Sequence, residues 1–430
     1  MSTAPSLLVG TAEVDITPAP GVELSGFVAR EQPSLGVHDA LFARALALSD
    51  GARRVIWLHV DLIGLERDDS AAIRARVARA VGGELDVILS ATHTHAGPAT
   101  VRLAQCGAYE AGYVEWLGQR LVEVADVALG RLAPATLELA EGTCTLAQDR
   151  RGKPSRHVDP RVGLLAFRRA DGTYAAVLAN YPMHNVALGP ENRFISGDVA
   201  GQAARELAAG LPGQPVVLLT NGGAGNLNPP SVGPDIARVR AWGDQLAAAA
   251  LVALRAAEPV TAPALAVRTA AVTLPFAELT VDEARAIAAR HRGYVAGKDD
   301  PVSRRCRAAT DTWEARMLRT LGADGAADVA PYPAAATLEL AALRLGPARL
   351  ACFGAEVFSI AADELRAAVG APLYVVGYAN GVIGYLAPRF AHEEGGYETG
   401  GAFIFYDAPP LAPGGYEVAR ARMIELLGAL

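Results

Sequence analysis

The sequence predicts an α/β fold built from mixed β-sheets that are flanked by helices. Two observations support this class: short apolar runs alternate with helical segments, and most runs are continuously apolar, as in strands covered on both faces. The continuous runs occupy residues 55–60, 87–90, 174–179, 215–219, 349–353 and 373–376. Two more runs, residues 41–48 and 265–274, are expected to be partly exposed strands of a mixed sheet.

Helices are predicted between these strands. Residues 68–80 end at a pair of glycines, a common stop signal, and residues 234–257 begin at a proline and end before another. Residues 281–323 predict two polar helices around a loop at 297–300, which we expect to form an insertion packed over the main body. No internal repeat of solenoid length is visible. The sequence therefore predicts a single domain over residues 1–430 with a helical insertion near 281–323.

The composition of the 430-residue chain is that of a globular protein, with 51% hydrophobic and 20% charged residues. Its net charge of −7 gives no electrostatic basis for binding nucleic acid or an anionic membrane. The most apolar helical stretch, residues 246–254, is far shorter than the roughly 20 residues of a membrane span. The beginning of the chain lacks the basic and apolar regions of a signal peptide. We therefore expect a cytoplasmic protein with no membrane or nucleic-acid partner, in an oligomeric state that the sequence leaves open.

Several residues with useful chemistry directly follow a predicted strand. In open α/β sheets, ligands bind in the crevice beyond the carboxyl ends of the strands, so these residues are expected to meet at one site. They are Asp61 after residues 55–60, His93 and His95 after 87–90, His184 after 174–179, the glycine-rich loop 221–230 after 215–219, and Glu356 after 349–353.

The most specific local pattern is the segment Ala91–Pro98, which contains His93 and His95. On an extended segment two histidines at i and i+2 point to the same side, because side chains alternate with a period of two. That geometry can give one metal two nitrogen ligands, or give it one ligand and place a base beside its bound water. A pair of hydrogen-bonded core histidines is the alternative interpretation.

Other candidates have ordinary structural interpretations when each is taken alone. His184 would be a structural histidine, and Asp198 is favoured as the N-cap of a helix that begins at Val199. Glu356 would be a charge at a helix N-terminus. Tyr385 and Tyr397 would be surface tyrosines, although the long glycine-rich loop that carries them, residues 377–401, is typical of a functional lid.

Two sequence features exclude common functions. The loop at 220–230 lacks both the GK[ST] ending of a P-loop and the GxGxxG spacing, so nucleotide binding is not predicted. The same loop can instead present backbone N–H groups and the amides of Asn226 and Asn228 to a substrate oxygen. The four cysteines are scattered without a CxxC pair, so we expect buried thiols rather than a disulfide scaffold or a zinc finger.

Taken together, these segments resemble the neutral (non-lysosomal) ceramidase family, and the resemblance runs through most of the chain. The order and number of the short motifs make chance agreement improbable. The motifs are Gly10–Pro18 with Gly36–Asp39, Ala91–Pro98, Pro182–His184 with Ile195–Asp198, Gly354–Phe358, and Gly384–Leu386 with Tyr397–Glu398.

The resemblance implies a fold like the catalytic domain of that family and a single zinc ion per chain. The implied zinc ligands are His93, His184, Glu356 and Tyr385. His95 is then expected beside the metal as a proton carrier or hydrogen-bond donor. The remaining candidates are Tyr397 and Asn228, which with Tyr385 would stabilise the oxyanion, and Arg150, Asn226 and Asp61, which would contact the substrate.

The sequence also departs from the family pattern. The family's GDVSPN loop is replaced here by residues 225–230, where Asn226 stands for the acid and Asn228 for the serine. A serine nucleophile from this loop is therefore not expected. We expect neither the family's C-terminal immunoglobulin-like domain nor a secretion signal, so the sequence resembles a short bacterial-type homologue.

The expected function is therefore hydrolysis of an amide of a small polar substrate by metal-activated water, with an ester or lactone as the next possibility. Two alternatives remain. One is a catalytically inactive zinc- or ligand-binding protein on the ceramidase scaffold, suggested by the changes at Asn226 and Asn228. The other is a TIM-barrel amidohydrolase, which also uses an HxH motif, although several strand candidates precede it here.

Overall fold

The structure, a computed structural model, describes residues 7–261 and 263–430. The first six residues, which hold much of the segment in which no secretion signal was predicted, lie outside the described residues.

The strands are β1 Leu8–Asp15, β2 Gly36–Val37, β3 Phe42–Ser49, β4 Arg54–Val60, β5 Asp86–Ala91, β6 Ala133–Pro134, β7 Thr136–Thr143, β8 Gln148–Asp149, β9 Arg161–Arg168, β10 Tyr174–Tyr181, β11 Phe194–Ile195, β12 Val216–Asn221, β13 Leu227–Asn228, β14 Glu258–Pro259, β15 Leu265–Pro275, β16 Ala335–Leu345, β17 Ala348–Phe353, β18 Glu356–Val357, β19 Leu373–Val376 and β20 Tyr385–Leu386. The helices are α1 Arg67–Val81, α2 Ala111–Gly130, α3 Asp198–Ala209, α4 Ile236–Leu254, α5 Val281–Tyr294, α6 Pro301–Thr320, α7 Ile360–Val369, α8 Arg389–Glu394, α9 Tyr397–Gly400, α10 Ala402–Phe405 and α11 Gly415–Gly428.

Three larger sheets organise the fold. The first sheet has the strand order β5-β4-β3-β1-β6, the second β12-β10-β9-β7-β14, and the third β15-β16-β17-β19. Each sheet contains one parallel pair: β4 with β5, β10 with β12, and β17 with β19; the other pairs are antiparallel. The predicted class of mixed sheets is therefore confirmed. A TIM barrel is excluded, because the described strands do not close into a barrel.

The three sheets pack their inner faces against one shared core, to which each sheet contributes residues such as Trp57, Leu178 and Leu343. Each outer face is covered by a pair of helices: α1 and α2 on the first sheet, α3 and α4 on the second, and α7 and α11 on the third. This arrangement explains the continuously apolar runs, because a strand covered on both faces has no side for polar residues.

All eight predicted runs are strands, and both helices predicted at 281–323 are present as α5 and α6. The strand β3 was expected to be partly exposed, but it lies in the middle of the first sheet and is buried from Ala43 to Leu48. Helix α5 begins with a capping box between Thr280 and Glu283, and helix α6 with Asp300 as its N-cap. The single domain with an insertion in this region stays a prediction.

None of the described helices combines the length and apolarity that crossing a membrane requires. The cysteines follow the expectation in part. Cys106, Cys144 and Cys352 are buried free thiols, whereas Cys306 is half-buried on α6.

Candidate metal centre

Three side chains meet at the junction of the three sheets. His93 follows β5 of the first sheet, His184 follows β10 of the second, and Glu356 follows β17 of the third. All three are buried, and one potential ligand atom from each lies within 4.8 Å of the others. The prediction that strand ends bring these residues together is confirmed, but they converge between three sheets rather than along the edge of one.

Backbone carbonyl groups fix the orientation of both imidazoles. The Nδ1 atom of His93 lies 2.6 Å from the carbonyl oxygen of Ile63, and that of His184 lies 2.7 Å from the carbonyl oxygen of Ala224. A carbonyl oxygen only accepts, so each Nδ1 carries a proton, and a ring without a second proton has a free electron pair on Nε2.

The two Nε2 atoms face one carboxylate oxygen. The Oε2 atom of Glu356 lies 2.9 Å from Nε2 of His184 and 3.5 Å from Nε2 of His93. Two imidazole nitrogens and a carboxylate oxygen directed at one point, each oriented by a second group, form a donor set that suits a divalent transition metal such as zinc.

The electrostatics of the cluster favour its metal-binding protonation state. Burial alone raises the pKa of Glu356, but His93 and His184 hold that pKa well below its ordinary range whenever an imidazole takes up a second proton and donates it to the carboxylate. Burial and the nearby charge of Arg150 lower the pKa of His184 to about 4. Glu356 is therefore ionised and His184 neutral at physiological pH, as metal ligation requires.

His95 lies beside the cluster, with its Nε2 atom 3.2 Å from Nε2 of His93. The extended segment predicted for this pair was wrong, because His93 has a positive φ of 63° and the chain turns there. The neighbouring loop approaches closely: a Cβ added to Gly26 would lie 2.1 Å from Nδ1 of His95. Only a glycine therefore fits at position 26 without displacing the imidazole.

Tyr385 completes the surroundings of His184. Its hydroxyl lies 3.5 Å from Nε2 of His184 and accepts a hydrogen bond of 2.8 Å from Nη2 of Arg150. Arg150 also donates to Glu398, to Oδ1 of Asn228 and to a backbone carbonyl. The guanidinium was predicted to contact the substrate, but the structure directs its N–H groups to protein partners.

The loop 224–228 supports the centre through hydrogen bonds to the residues that surround it. Its carbonyl groups hold the His184 imidazole, its Gly225 N–H bonds the carbonyl of Val357 beside Glu356, and Asn228 accepts from Arg150. Asn226 was expected to contact substrate, but its side chain is buried and holds other protein groups. Its Oδ1 accepts from the N–H of Ser359, and its Nδ2 donates to Asp149 and to the carbonyl of His157.

Two acidic residues have different roles from those expected. Asp61 does not join the cluster: its Oδ2 accepts hydrogen bonds of 2.9 Å from Arg44 and from the N–H of Phe42, within the first sheet. A residue that directly follows a strand is known to lie at the end of the sheet, but its sequence position does not determine where its side chain points. Asp198 is the first residue of α3 rather than its N-cap, and its Oδ2 accepts from the N–H of Leu188.

A cavity of about 280 Å³ opens onto the cluster. Its walls include His95, Arg150, Asn228, Tyr385 and Tyr397. The cavity therefore brings together all three predicted catalytic residues, His95, Asn228 and Tyr397, beside the buried cluster. A second, larger chamber of about 510 Å³ adjoins it between α5, α6 and α9, and Tyr397 and Phe405 line both spaces.

Two tyrosines of the centre were not identified from the sequence. The ring of Tyr378 stacks on His93 with 4.0 Å between ring centroids, and the hydroxyl of Tyr406 lies 2.5 Å from Oε1 of Glu356. Burial and the charge of Glu356 raise the pKa of both tyrosines well above its ordinary value, so their hydroxyls stay protonated. The only sequence signal was that Tyr378 falls in the predicted loop 377–401.

That loop is more ordered than predicted. Residues 377–401 contain β20, α8 and α9, and the stretch from Tyr378 to Val382 is buried at the end of the third sheet. The segment therefore forms a wall of the centre rather than an irregular lid.

Comparisons with known proteins agree on one family. Residues 7–214 match the family model described as neutral/alkaline non-lysosomal ceramidase, N-terminal. The neutral ceramidase of Pseudomonas aeruginosa is 27% identical over 245 residues, which cover 51% of this chain and 36% of that protein. The neutral ceramidase of Mycobacterium tuberculosis is 26% identical over 263 residues, which cover 53% of this chain and 41% of that protein. The chain thus matches about two fifths or less of these relatives' own length.

The same fold occurs in solved structures. The crystal structure of the neutral ceramidase from Pseudomonas aeruginosa superposes with a TM-score of 0.77 at 22% sequence identity, covering 99% of this chain and 74% of that one. A structure described as ceramidase complexed with C2 gives a TM-score of 0.78 at 22% identity and covers 75% of that chain. The predicted resemblance to the ceramidase catalytic fold is therefore confirmed.

Proposed function

We propose that this chain, which matches the neutral/alkaline non-lysosomal ceramidase family model over residues 7–214, is a zinc-dependent hydrolase that cleaves an amide bond of a small-molecule substrate. The observation that carries the proposal is the convergence of two Nε2 atoms and one carboxylate oxygen at the end of a cavity. An ester or a lactone is the next candidate substrate, since the same carbonyl chemistry applies.

The proposed metal ligands are His93, His184, Glu356 and Tyr385. Two histidines and one carboxylate are a usual ligand set of catalytic zinc. The Tyr385 hydroxyl, 3.5 Å from Nε2 of His184, supports its assignment as the fourth ligand. A bound zinc ion would polarise the substrate carbonyl and lower the pKa of a water nucleophile.

His95 is proposed to move the proton. The Nε2 atom of His95 faces Nε2 of His93. Because Nδ1 of His93 donates to the carbonyl of Ile63, Nε2 of a neutral His93 carries no hydrogen. With His93 Nε2 engaged as a ligand, that contact no longer requires a hydrogen on His95, and His95 in its Nδ1–H tautomer can take a proton on Nε2 from the attacking water and pass it to the leaving nitrogen. Burial and the nearby His93 and His184 lower the pKa of His95 well below its ordinary value, so it begins as a neutral base.

Asn228 and Tyr397 are proposed to hold the substrate oxygen. Arg150 engages Oδ1 of Asn228, which orients the amide and leaves its Nδ2 as a donor toward the cavity. A donor directed at the developing oxyanion lowers the barrier when its orientation is fixed in advance. Tyr397 also lines the cavity, and half of its surface is exposed.

The test is metal content measured by elemental analysis, together with turnover on a panel of amides, esters and lactones. Wild type is expected to hold about one zinc per chain and to hydrolyse an amide, and His93→Ala is expected to lose both. His38→Ala, which removes a half-buried imidazole stacked on Phe194 outside the centre, is the matched control. Turnover by a metal-free wild-type protein would overturn the proposal. Tight zinc without hydrolysis of any panel member would instead favour the binding-protein alternative.

A further inference from the structure

Helix α6 reaches the metal centre through the turn that follows α10. Asp407 in this turn is held from two sides: Nη1 of Arg316 lies 2.6 Å from its Oδ2, and the hydroxyl of Tyr332 lies 2.5 Å from its Oδ1. The indole N–H of Trp313 donates to the carbonyl of Ala408 at 2.8 Å. The turn is therefore fixed by two hydrogen bonds from α6 and by a third from Tyr332, which follows that helix.

The residue before Asp407 points the other way, into the centre. The hydroxyl of Tyr406 donates to Oε1 of Glu356 at 2.5 Å, while Oε2 of the same carboxylate faces His93 and His184. The ring of Tyr406 packs edge-on against Tyr385 with 6.4 Å between centroids. The two oxygens of Glu356 thus have different partners: Oε1 is bonded by Tyr406 at 2.5 Å, whereas Oε2 faces the imidazole pair and accepts a longer hydrogen bond of 3.5 Å from Tyr378.

A free carboxylate does not keep such a division by itself. The last torsion of a glutamate side chain is broad and roughly two-fold, so the two oxygens exchange easily unless one is held. Tyr406 supplies that restraint, because a neutral phenol beside an ionised carboxylate donates a strong hydrogen bond.

We propose that Tyr406 is a positioning residue for the Glu356 carboxylate, and that α6 holds it in place through Asp407. The inference rests on the proposed metal centre and gives helix α6 a role in it. Partners of metal ligands are worth roughly 10- to 100-fold in metal affinity. Tyr406→Phe is therefore expected to weaken metal binding within that range, and Arg316→Met to weaken it in the same direction by less.

The experiment loads wild type and variants with cobalt(II), records the visible absorption bands, and measures zinc affinity by competition with a chelator. Tyr416→Phe is the matched control, since its hydroxyl likewise lies 2.5 Å from a glutamate oxygen, Oε2 of Glu364 on α7, which is not one of the proposed ligands. Thermal unfolding of the metal-free proteins shows that each variant is folded. Tyr406→Phe is expected to change both the cobalt bands and the zinc affinity, while Tyr416→Phe changes neither.

Two results would overturn the inference, and they are distinguishable. If Tyr406→Phe keeps the wild-type cobalt bands and zinc affinity, the positioning role is wrong while the metal centre stands. If wild type itself binds neither metal, the proposed function fails, and the inference fails with it. If Tyr406→Phe does not fold, Arg316→Met decides, because it acts on Tyr406 without touching Glu356 or its neighbours.

Discussion

Glu356 and Tyr385 are directly paired in a two-residue parallel ladder formed by β18 and β20. The pairing brings a carboxylate and a phenol to the same imidazole: Oε2 of Glu356 lies 2.9 Å from Nε2 of His184, and the hydroxyl of Tyr385 lies 3.5 Å from it. Two residues far apart in sequence thus reach one atom through a backbone register, which fixes their separation more firmly than two flexible loops would.

Tyr385 and Tyr397 both line the cavity, and the register of Tyr385 with Glu356 gives the two tyrosines different expected roles. Tyr385→Phe is expected to lower zinc affinity by about tenfold or more, because it removes a proposed ligand and an acceptor for Arg150. Tyr397→Phe is expected to lower turnover while leaving zinc affinity unchanged. Chelator competition and steady-state kinetics on both variants check this, and equal zinc affinities for the two would contradict the assignment.

Arg150 is expected to act on catalysis through Tyr385 and Asn228 rather than through the substrate. Lysine keeps the charge but cannot reproduce the planar fork that reaches several acceptors at once. Arg150→Lys should therefore reduce kcat by about 10- to 100-fold with a much smaller change in KM. The exposed Arg156→Lys is the control. A variant in which only KM rises would restore direct substrate binding as the role of Arg150.

Replacing Asn226 with aspartate is expected to destabilise the folded protein. Its Nδ2 lies 2.7 Å from Oδ2 of Asp149, so Asn226→Asp places two carboxylates in contact and should lower the free energy of unfolding by about 1–3 kcal/mol at neutral pH. The like charges raise the pKa of one of the two carboxyl groups in the folded variant. The loss of unfolding free energy is therefore smallest below the ordinary aspartate pKa and grows as the pH rises above it. Denaturant unfolding at several pH values measures it. Asn226→Ala, which adds no charge, should lose stability with no such pH dependence.

His59 is expected to make the protein acid-sensitive. It is fully buried on β4 within the first sheet, and burial together with the charge of Arg44 lowers its pKa to about 3. The unfolded chain takes up a proton on this histidine near pH 6.5 while the folded chain does not. The free energy of unfolding therefore falls as pH falls from about 6.5 to 3, and is fully retained above that window.

His59→Gln removes up to one proton from the difference in proton binding between the unfolded and folded states. The slope of the unfolding free energy against pH should therefore fall by up to about 1.4 kcal/mol per pH unit. Urea unfolding of metal-free protein across the window gives the slope. Trp57→Phe is the control, because it removes another hydrogen bond to Ser90 without removing a titrating group. Identical slopes for wild type and His59→Gln would contradict the prediction.

Much of the fold was predictable because its strands are covered on both faces. That burial makes the runs apolar along their whole length, so all eight could be located from hydrophobicity alone. The separation into three sheets was not predictable in this way. Apolar runs show that a strand is covered, whereas strand pairing depends on contacts far along the chain, such as those joining β1 to β6.

The residues of the centre could be predicted where they belong to a short sequence motif, but not where they reach the centre only through contacts made on folding. His93, His184 and Glu356 each follow a strand closely, and the structure brings them together. Tyr378 and Tyr406 touch them only after folding, from segments with no metal-binding pattern. Asn226 was placed in the right loop, but its side chain turns inward to Ser359, a direction that sequence position does not determine.

The origin of the three convergent residues in three different sheets has a thermodynamic consequence. A ligand that binds only the assembled cluster stabilises the folded state by RT ln(1 + [L]/Kd), and that free energy applies to every element whose opening breaks the cluster. Here no sheet can detach without losing one of His93, His184 or Glu356. Occupancy of the centre would therefore couple the unfolding of the three sheets, so that local opening of any one sheet becomes rarer when the metal is bound.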